Sequence, residues 1–124
     1  MKLTKAQDKI MTEAKSKIDF ARTHTLREWA QKATGYTDEV IERMVSHSED
    51  YRSTPEKMRA SLEDRISHYA DEYRDSYYRD REGSVLIHCN SKSLKKLEEY
   101  GLIEIIYDST GSSFGIDTIK VLNY

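Results

Sequence analysis

The sequence predicts an α+β fold, with a helical N-terminal two-thirds packed on a strand–helix–strand–loop–strand C-terminal part. Three observations predict it. Up to residue 82, apolar side chains recur at spacings of three and four behind threonine or proline starts, the pattern of capped amphipathic helices. After Gly83 come the β-rich segments "SVLIHC", "LIEIIYD" and "IDTIKVLNY",. One short helical stretch, "NSKSLKKLEEYG", separates the first two, and the turn-rich "STGSSFG" separates the last two,.

The first helix is expected from about Lys5 to Ala21. Thr4 and Gln7 form a T-x-x-Q capping pattern, and Ala6, Ile10, Met11, Ala14, Ile18 and Ala21 lay one apolar face along it. Thr25 and Glu28 start a second, short helix carrying Leu26, Trp29, Ala30 and Ala33, which Gly35 closes,. Thr37 caps a third, "DEVIERMVSH", with acids in its first turn and Val40, Ile41, Met44 and Val45 inward. Thr54 before Pro55 opens the fourth and longest, since proline suits the first helical position. Met58, Leu62, Ile66, Tyr69, Tyr73 and Tyr77 form its stripe, and Gly83 ends it. Ser91 caps the helix in which Leu94 and Leu97 face inward before Gly101. With no repeat, low-complexity run or linker, residues 1–124 read as a single domain with a helical part (1–83) and a strand-rich part (84–124).

Composition narrows the function classes. Net charge is −2, whereas a simple nucleic-acid binder is usually basic overall. Residues 1–35 carry a net of +4, residues 36–82 a net of −5 and residues 83–124 a net of −1, a basic head followed by an acidic middle. No apolar run approaches the roughly 18 residues of a membrane span, and the opening "MKLTKAQDKIM" lacks a signal peptide's apolar core,. A single cysteine, Cys89, permits no internal disulfide and suits a reducing compartment,. The expectation is a soluble protein of the cytoplasm with no membrane partner.

The fourth helix carries the sharpest charge pattern. At about 100° per residue, Asp64, Asp71, Asp75 and Glu82 fall within roughly 40° of each other, nearly opposite the apolar stripe, in a row of about 27 Å. Tyr78 lies near them and adds a rigid, amphipathic contact of the kind enriched at interfaces. Such a row matches a channel that normally holds a nucleic-acid backbone. The plain alternative is a solvated helix face, with Arg65, Arg74, Arg79 and Arg81 neutralising the row.

The pattern L-x-x-L-x-x-x-G-L-I in "SLKKLEEYGLIEII", together with the order strand, short helix, glycine, strand, loop, strand, resembles the C-terminal half of a winged-helix domain. The likeness covers about 40 residues, Ser84 to Tyr124, with the first helix able to supply the first helix of such a domain. The middle helices depart from that pattern. The resemblance implies that Lys92, Lys95 and Lys96 face DNA and that Ser112 and Ser113 lie in the wing. Lysines early and Glu98 and Glu99 late run against the helix dipole, and the wing "DSTGSSFGID" holds two aspartates and no cation, contrary to what phosphate contact needs.

Chemistry is not indicated. His24, His47, His68 and His88 show no metal-ligand spacing, and there is no C-x-x-C or H-E-x-x-H,. His88 and Cys89 are adjacent on an expected strand, so their side chains point to opposite faces. No catalytic residue, cofactor or metal is assigned.

Size, charge density, tyrosine content and the lysine-rich opening resemble those of small accessory proteins of bacteriophages and prophages, among them anti-CRISPR proteins. That resemblance implies a non-enzymatic inhibitor that binds a host protein, most concretely a Cas9-type nuclease, in the host cytosol, through Asp64, Asp71, Asp75, Tyr78 and Glu82. The alternative is a winged-helix DNA-binding transcriptional regulator, acting as a homodimer through Lys92, Lys95 and Lys96.

Overall fold

Thr4 opens the first helix with the expected reciprocal cap. The Gln7 N–H donates to Thr4 Oγ1 at 3.2 Å, and the Thr4 N–H donates to Gln7 Oε1 at 2.9 Å. The computed structural model describes residues 2–88, 91–107 and 116–124. In order they form α1 (Lys5–Thr23), α2 (Leu26–Thr34), α3 (Asp38–Ser46), a 3-10 turn (Ser48–Tyr51), α4 (Pro55–Glu72), α5 (Arg74–Glu82), β1 (Ser84–His88), α6 (Ser91–Glu99), β2 (Ile103–Tyr107) and β3 (Ile116–Val121). The fold is α+β, with helices in the N-terminal part and a three-stranded antiparallel sheet at the C-terminal end.

The chain divides into two compact units. One comprises Met1–Thr23 and Tyr78–Tyr124, and the other His24–Tyr77. The first helix is therefore grouped with the sheet, a pairing of chain-distant segments that helical periodicity alone does not reveal.

In the sheet unit the strand order is β1-β3-β2, so β3 is central and β1 and β2 are edges. Val85 and Ile87 of β1, Ile119 and Val121 of β3 and Ile103 of β2 are buried with Ile10, Ala14 and Ile18 of α1 and Leu94 and Leu97 of α6. Alternation puts Leu86, His88, Glu104 and Lys120 on the exposed side,. Gly83 sits at φ +99, where a Cβ would come within 3.5 Å of the Val121 carbonyl, and its own carbonyl accepts the Val121 N–H at 2.9 Å. Glycine is needed there for the backbone angle; the 3.5 Å approach itself is ordinary van der Waals contact.

In the helical unit, Ala30 of α2, Ile41 and Val45 of α3, and Met58, Leu62, Ile66 and Ala70 of α4 form one core. Thr25 and Glu28 make the expected capping box. Thr37 and Thr54 cap α3 and α4 by accepting the Val40 and Lys57 N–H groups. Gly35 ends α2 in the left-handed region at φ +82. Two ion pairs tie the neighbouring helices to α4: Arg27 to Glu63 at 2.6 Å from α2, and Arg59 to Glu42 at 2.8 Å from α3.

Several expectations are corrected. The fourth helix is not continuous: α4 ends at Glu72, Tyr73 takes turn angles of φ −110 and ψ 21, and α5 begins at Arg74. The Ser76 N–H reaches back only three residues to the Tyr73 carbonyl, a local tightening of the spiral,. Tyr73 is consequently exposed, not part of an inward stripe. α1, with 19 residues, exceeds α4 with 18. Ala6 and Ala33 are exposed, while the polar Gln7 and Gln31 are buried. Gln31 earns that position by donating to the Tyr36 carbonyl and to Asp38 Oδ1.

Candidate interaction surfaces

Asp64 and Asp71 stand on the outward side of α4, turned away from buried Leu62, Ile66 and Ala70. Seven residues is close to two helical turns, so they share one face about 10 Å apart along the axis. The residues flanking Asp64 at three and four positions are Ala60, Ser61, Ser67 and His68, all small or uncharged apart from the histidine. Among the described residues the Asp64 side chain has no ion pair, and neither does that of Asp75 or Glu82. Asp71 is held by Arg74 Nη2 at 3.3 Å, with both groups largely exposed, so that pair neutralises little and is screened by salt.

The expected row of four carboxylates does not form along one helix. Asp64 and Asp71 belong to α4, the turn at Tyr73 intervenes, and Asp75 and Glu82 belong to α5. The 27 Å row assumed an unbroken pitch. Asp75 falls in the helical unit, whereas Tyr78, half exposed, and Glu82 fall in the sheet unit.

The two units also differ in charge. The helical unit carries 8 lysines and arginines against 12 aspartates and glutamates, a net of −4. The sheet unit carries 12 against 10, a net of +2. Within the helical unit, Arg27 and Arg59 are spent on the interhelical pairs with Glu63 and Glu42, which hold Arg27 and Arg59 above the ordinary guanidinium range. Asp64 and Asp71 are two of the 12 acids that make the unit net negative.

An aromatic cluster lies in the same unit. The Trp29 ring is 5.8 Å from those of Tyr69 and Tyr77, and Tyr69 is 4.4 Å from Tyr73. Tyr77 is buried and donates its hydroxyl to the His24 carbonyl at 2.6 Å, which satisfies its polar end. Burial raises the Tyr69 phenol, with the nearby Tyr73 and Glu72 adding to the shift.

On α6, Lys92, Lys95 and Lys96 are exposed opposite buried Leu94 and Leu97. Lys96 pairs with Glu99 at 3.3 Å, and Glu98 accepts the Ile105 N–H of β2 at 2.8 Å. The late glutamates that oppose the helix dipole thus have structural partners. Ser112, Ser113 and the rest of residues 108–115 of the expected wing, together with Cys89, lie outside the described residues, whereas Asp117, the second of the wing's two aspartates, belongs to β3.

Sequence reasoning missed three features. Lys17 Nζ donates to the Leu86 carbonyl of edge strand β1 at 2.6 Å, 69 residues away in sequence. Asp117, on central strand β3, is buried on the same side of the strand as Ile119; the isoleucine–aspartate alternation hid it, because an aspartate in a strand ordinarily marks the wet face. The C-terminal Tyr124 donates to Asp19 at 2.6 Å and accepts from Arg22 at 3.1 Å on α1. Neither long-range pairing has a local sequence signal.

No group of three or more potential metal ligands gathers among the described residues, and no helix there is long and apolar enough to cross a membrane. No protein-family model, curated protein or solved structure matches this chain.

Proposed function

We propose that this chain is a non-enzymatic inhibitor of the kind carried by bacteriophages, acting in the host cytosol on a host protein with a basic groove meant for nucleic acid. A Cas9-type nuclease is the most concrete target. The observation that carries this reading is the exposed pair Asp64 and Asp71 on α4, in a unit whose arginines are largely consumed internally and whose net charge is −4. Carboxylates at helical pitch offer a cationic groove what a phosphate backbone offers, and complementarity of this kind governs encounter rate and partner choice. Asp75, on α5 in the same unit, and Tyr78 and Glu82 are further candidate contacts. The reading is tested by reversing Asp64, Asp71 and Asp75 to lysine and measuring affinity for a guide-loaded Cas9-type nuclease. Loss of binding with an unchanged circular dichroism spectrum is expected. Unchanged affinity would remove the mechanism.

A second reading, a winged-helix DNA-binding regulator, is favoured by one observation. α6 stands between β1 and β2, β3 pairs with both, and Lys92, Lys95 and Lys96 face outward. It ranks below the first because the sheet unit's net charge of +2 is small beside what a duplex attracts,. Reversal of the three lysines to glutamate should abolish duplex binding if this second reading holds.

A further inference from the structure

We propose that Tyr73, packed against the tilted ring of Tyr69 and following Glu72 in sequence, is an anchor for an arginine side chain of the basic partner. This rests on the reading of the helical unit as a binder of basic protein surface, and it adds a contact separate from Asp64 and Asp71. Three observations carry it. First, Tyr73 is 41% exposed at the turn between α4 and α5, while the ring of Tyr69, 4.4 Å away, supports one side of it. A supported ring has little conformational freedom left to lose on binding. Second, the chain's own tyrosines show the same contact satisfied from within. Arg65 lies 6.0 Å over Tyr36 and donates to its hydroxyl, and Lys15 and Arg22 lie 5.4 and 5.6 Å over Tyr124. Tyr73 receives no such cation among the described residues, because Arg74, its neighbour, is drawn to Asp71. Third, Glu72, the last residue of α4 and the sequence neighbour of Tyr73, has only exposed His68 as an ion-pair partner among the described residues, at 3.8 Å, so its carboxylate is open to a further cation.

Arginine fits this arrangement better than lysine. Its flat guanidinium stacks on an aromatic ring while its edge donates to a carboxylate, whereas an ammonium is a compact, strongly hydrated point charge.

The test uses hexa-arginine and hexa-lysine peptides as probes of the full chain, followed through the fluorescence of Trp29, the sole tryptophan, whose ring is 5.8 Å from that of Tyr69. We expect hexa-arginine to bind about two- to fivefold more tightly than hexa-lysine, the range of an exposed cation–π contact. Tyr73→Ala should erase that preference while leaving hexa-lysine affinity unchanged, and Tyr73→Phe should retain it. Asp64→Lys with Asp71→Lys should weaken both peptides alike. Equal binding of the two peptides by the native chain, or a preference that survives Tyr73→Ala, would overturn the anchor and leave the acidic face standing. Failure of both peptides to bind would overturn the anchor and the acidic-face reading together.

Discussion

The Glu98 carboxylate of α6 accepts the backbone N–H of Ile105 on β2 at 2.8 Å. β2 is an edge strand, and its register against β3 slips between Ile105 and Tyr107. An edge amide is otherwise an open invitation to another strand. At the opposite edge, Lys17 Nζ covers the Leu86 carbonyl of β1 at 2.6 Å. A carboxylate thus guards a donor on one edge and an ammonium guards an acceptor on the other.

Replacing Glu98 by alanine should cost about 1 kcal/mol, the usual net value of one intramolecular hydrogen bond. It should also speed amide exchange at Ile105 specifically. Glu98→Gln retains an acceptor and should preserve most of the protection. Exchange at Ile105 unaffected by either change would show that the contact does not persist in solution.

The core residues set larger effects. Leu62 in the helical unit and Leu94 in the sheet unit are each at most 1% exposed. Truncation of either to alanine should cost about 2–5 kcal/mol, transfer and cavity terms together. Urea denaturation measures it, and a loss below about 1 kcal/mol would mean that the site collapses or is not packed as described.

Acid sensitivity should arise in part at the start of α2. Bonds from the Thr25 backbone and side chain hold the Glu28 carboxyl below its ordinary value of 4.5. A lowered folded-state pKa favours folding above the unfolded value, and that contribution is lost as pH falls through the lowered one. Thr25→Ala keeps the backbone bond, the larger cause, and removes the side-chain one, so it should move the Glu28 titration, followed by NMR, only part of the way back toward 4.5, and should lower stability at neutral pH by about 1 kcal/mol through the lost cap.

Alkali should act at the C-terminal residue. The hydrogen bond to Asp19 holds the Tyr124 phenol above its ordinary 10.0. A raised folded-state pKa gives stabilisation that is complete below 10.0 and is lost as pH rises through the raised value. Tyr124→Phe should remove that alkaline component, so the difference in stability between variant and native chain should shrink above pH 10.0.

Local signals were the legible ones. The caps at Thr4, Thr25, Thr37 and Thr54, the glycine stops and the strand segments each depend on residues a few positions apart, and each stands where the sequence placed it. What periodicity does not encode is which distant segments pair. Grouping α1 with the sheet rests on Ile10, Ala14 and Ile18 meeting Val85 and Ile119, a choice made by tertiary packing. The break at Tyr73 escaped because an i, i+4 tyrosine series reads as an unbroken stripe, with no glycine or proline to mark the turn that the backbone takes there. Asp64 and Asp71 were legible as an outward pair because both lie on the unbroken part of α4. Their extension through Asp75 to Glu82 was not, since it assumed a helix that does not continue.

The most direct measurement is a competition by fluorescence anisotropy. A labelled target duplex is mixed with a guide-loaded Cas9-type nuclease, with and without this chain, and the chain is also added to the duplex alone. We expect the native chain to prevent the anisotropy rise, the Asp64→Lys, Asp71→Lys, Asp75→Lys variant to leave it intact, and the duplex alone to be unaffected. A duplex bound directly by the chain, in a manner that weakens with salt and disappears on reversal of Lys92, Lys95 and Lys96, would contradict the acidic-face mechanism. So would competition that the aspartate reversals leave unchanged.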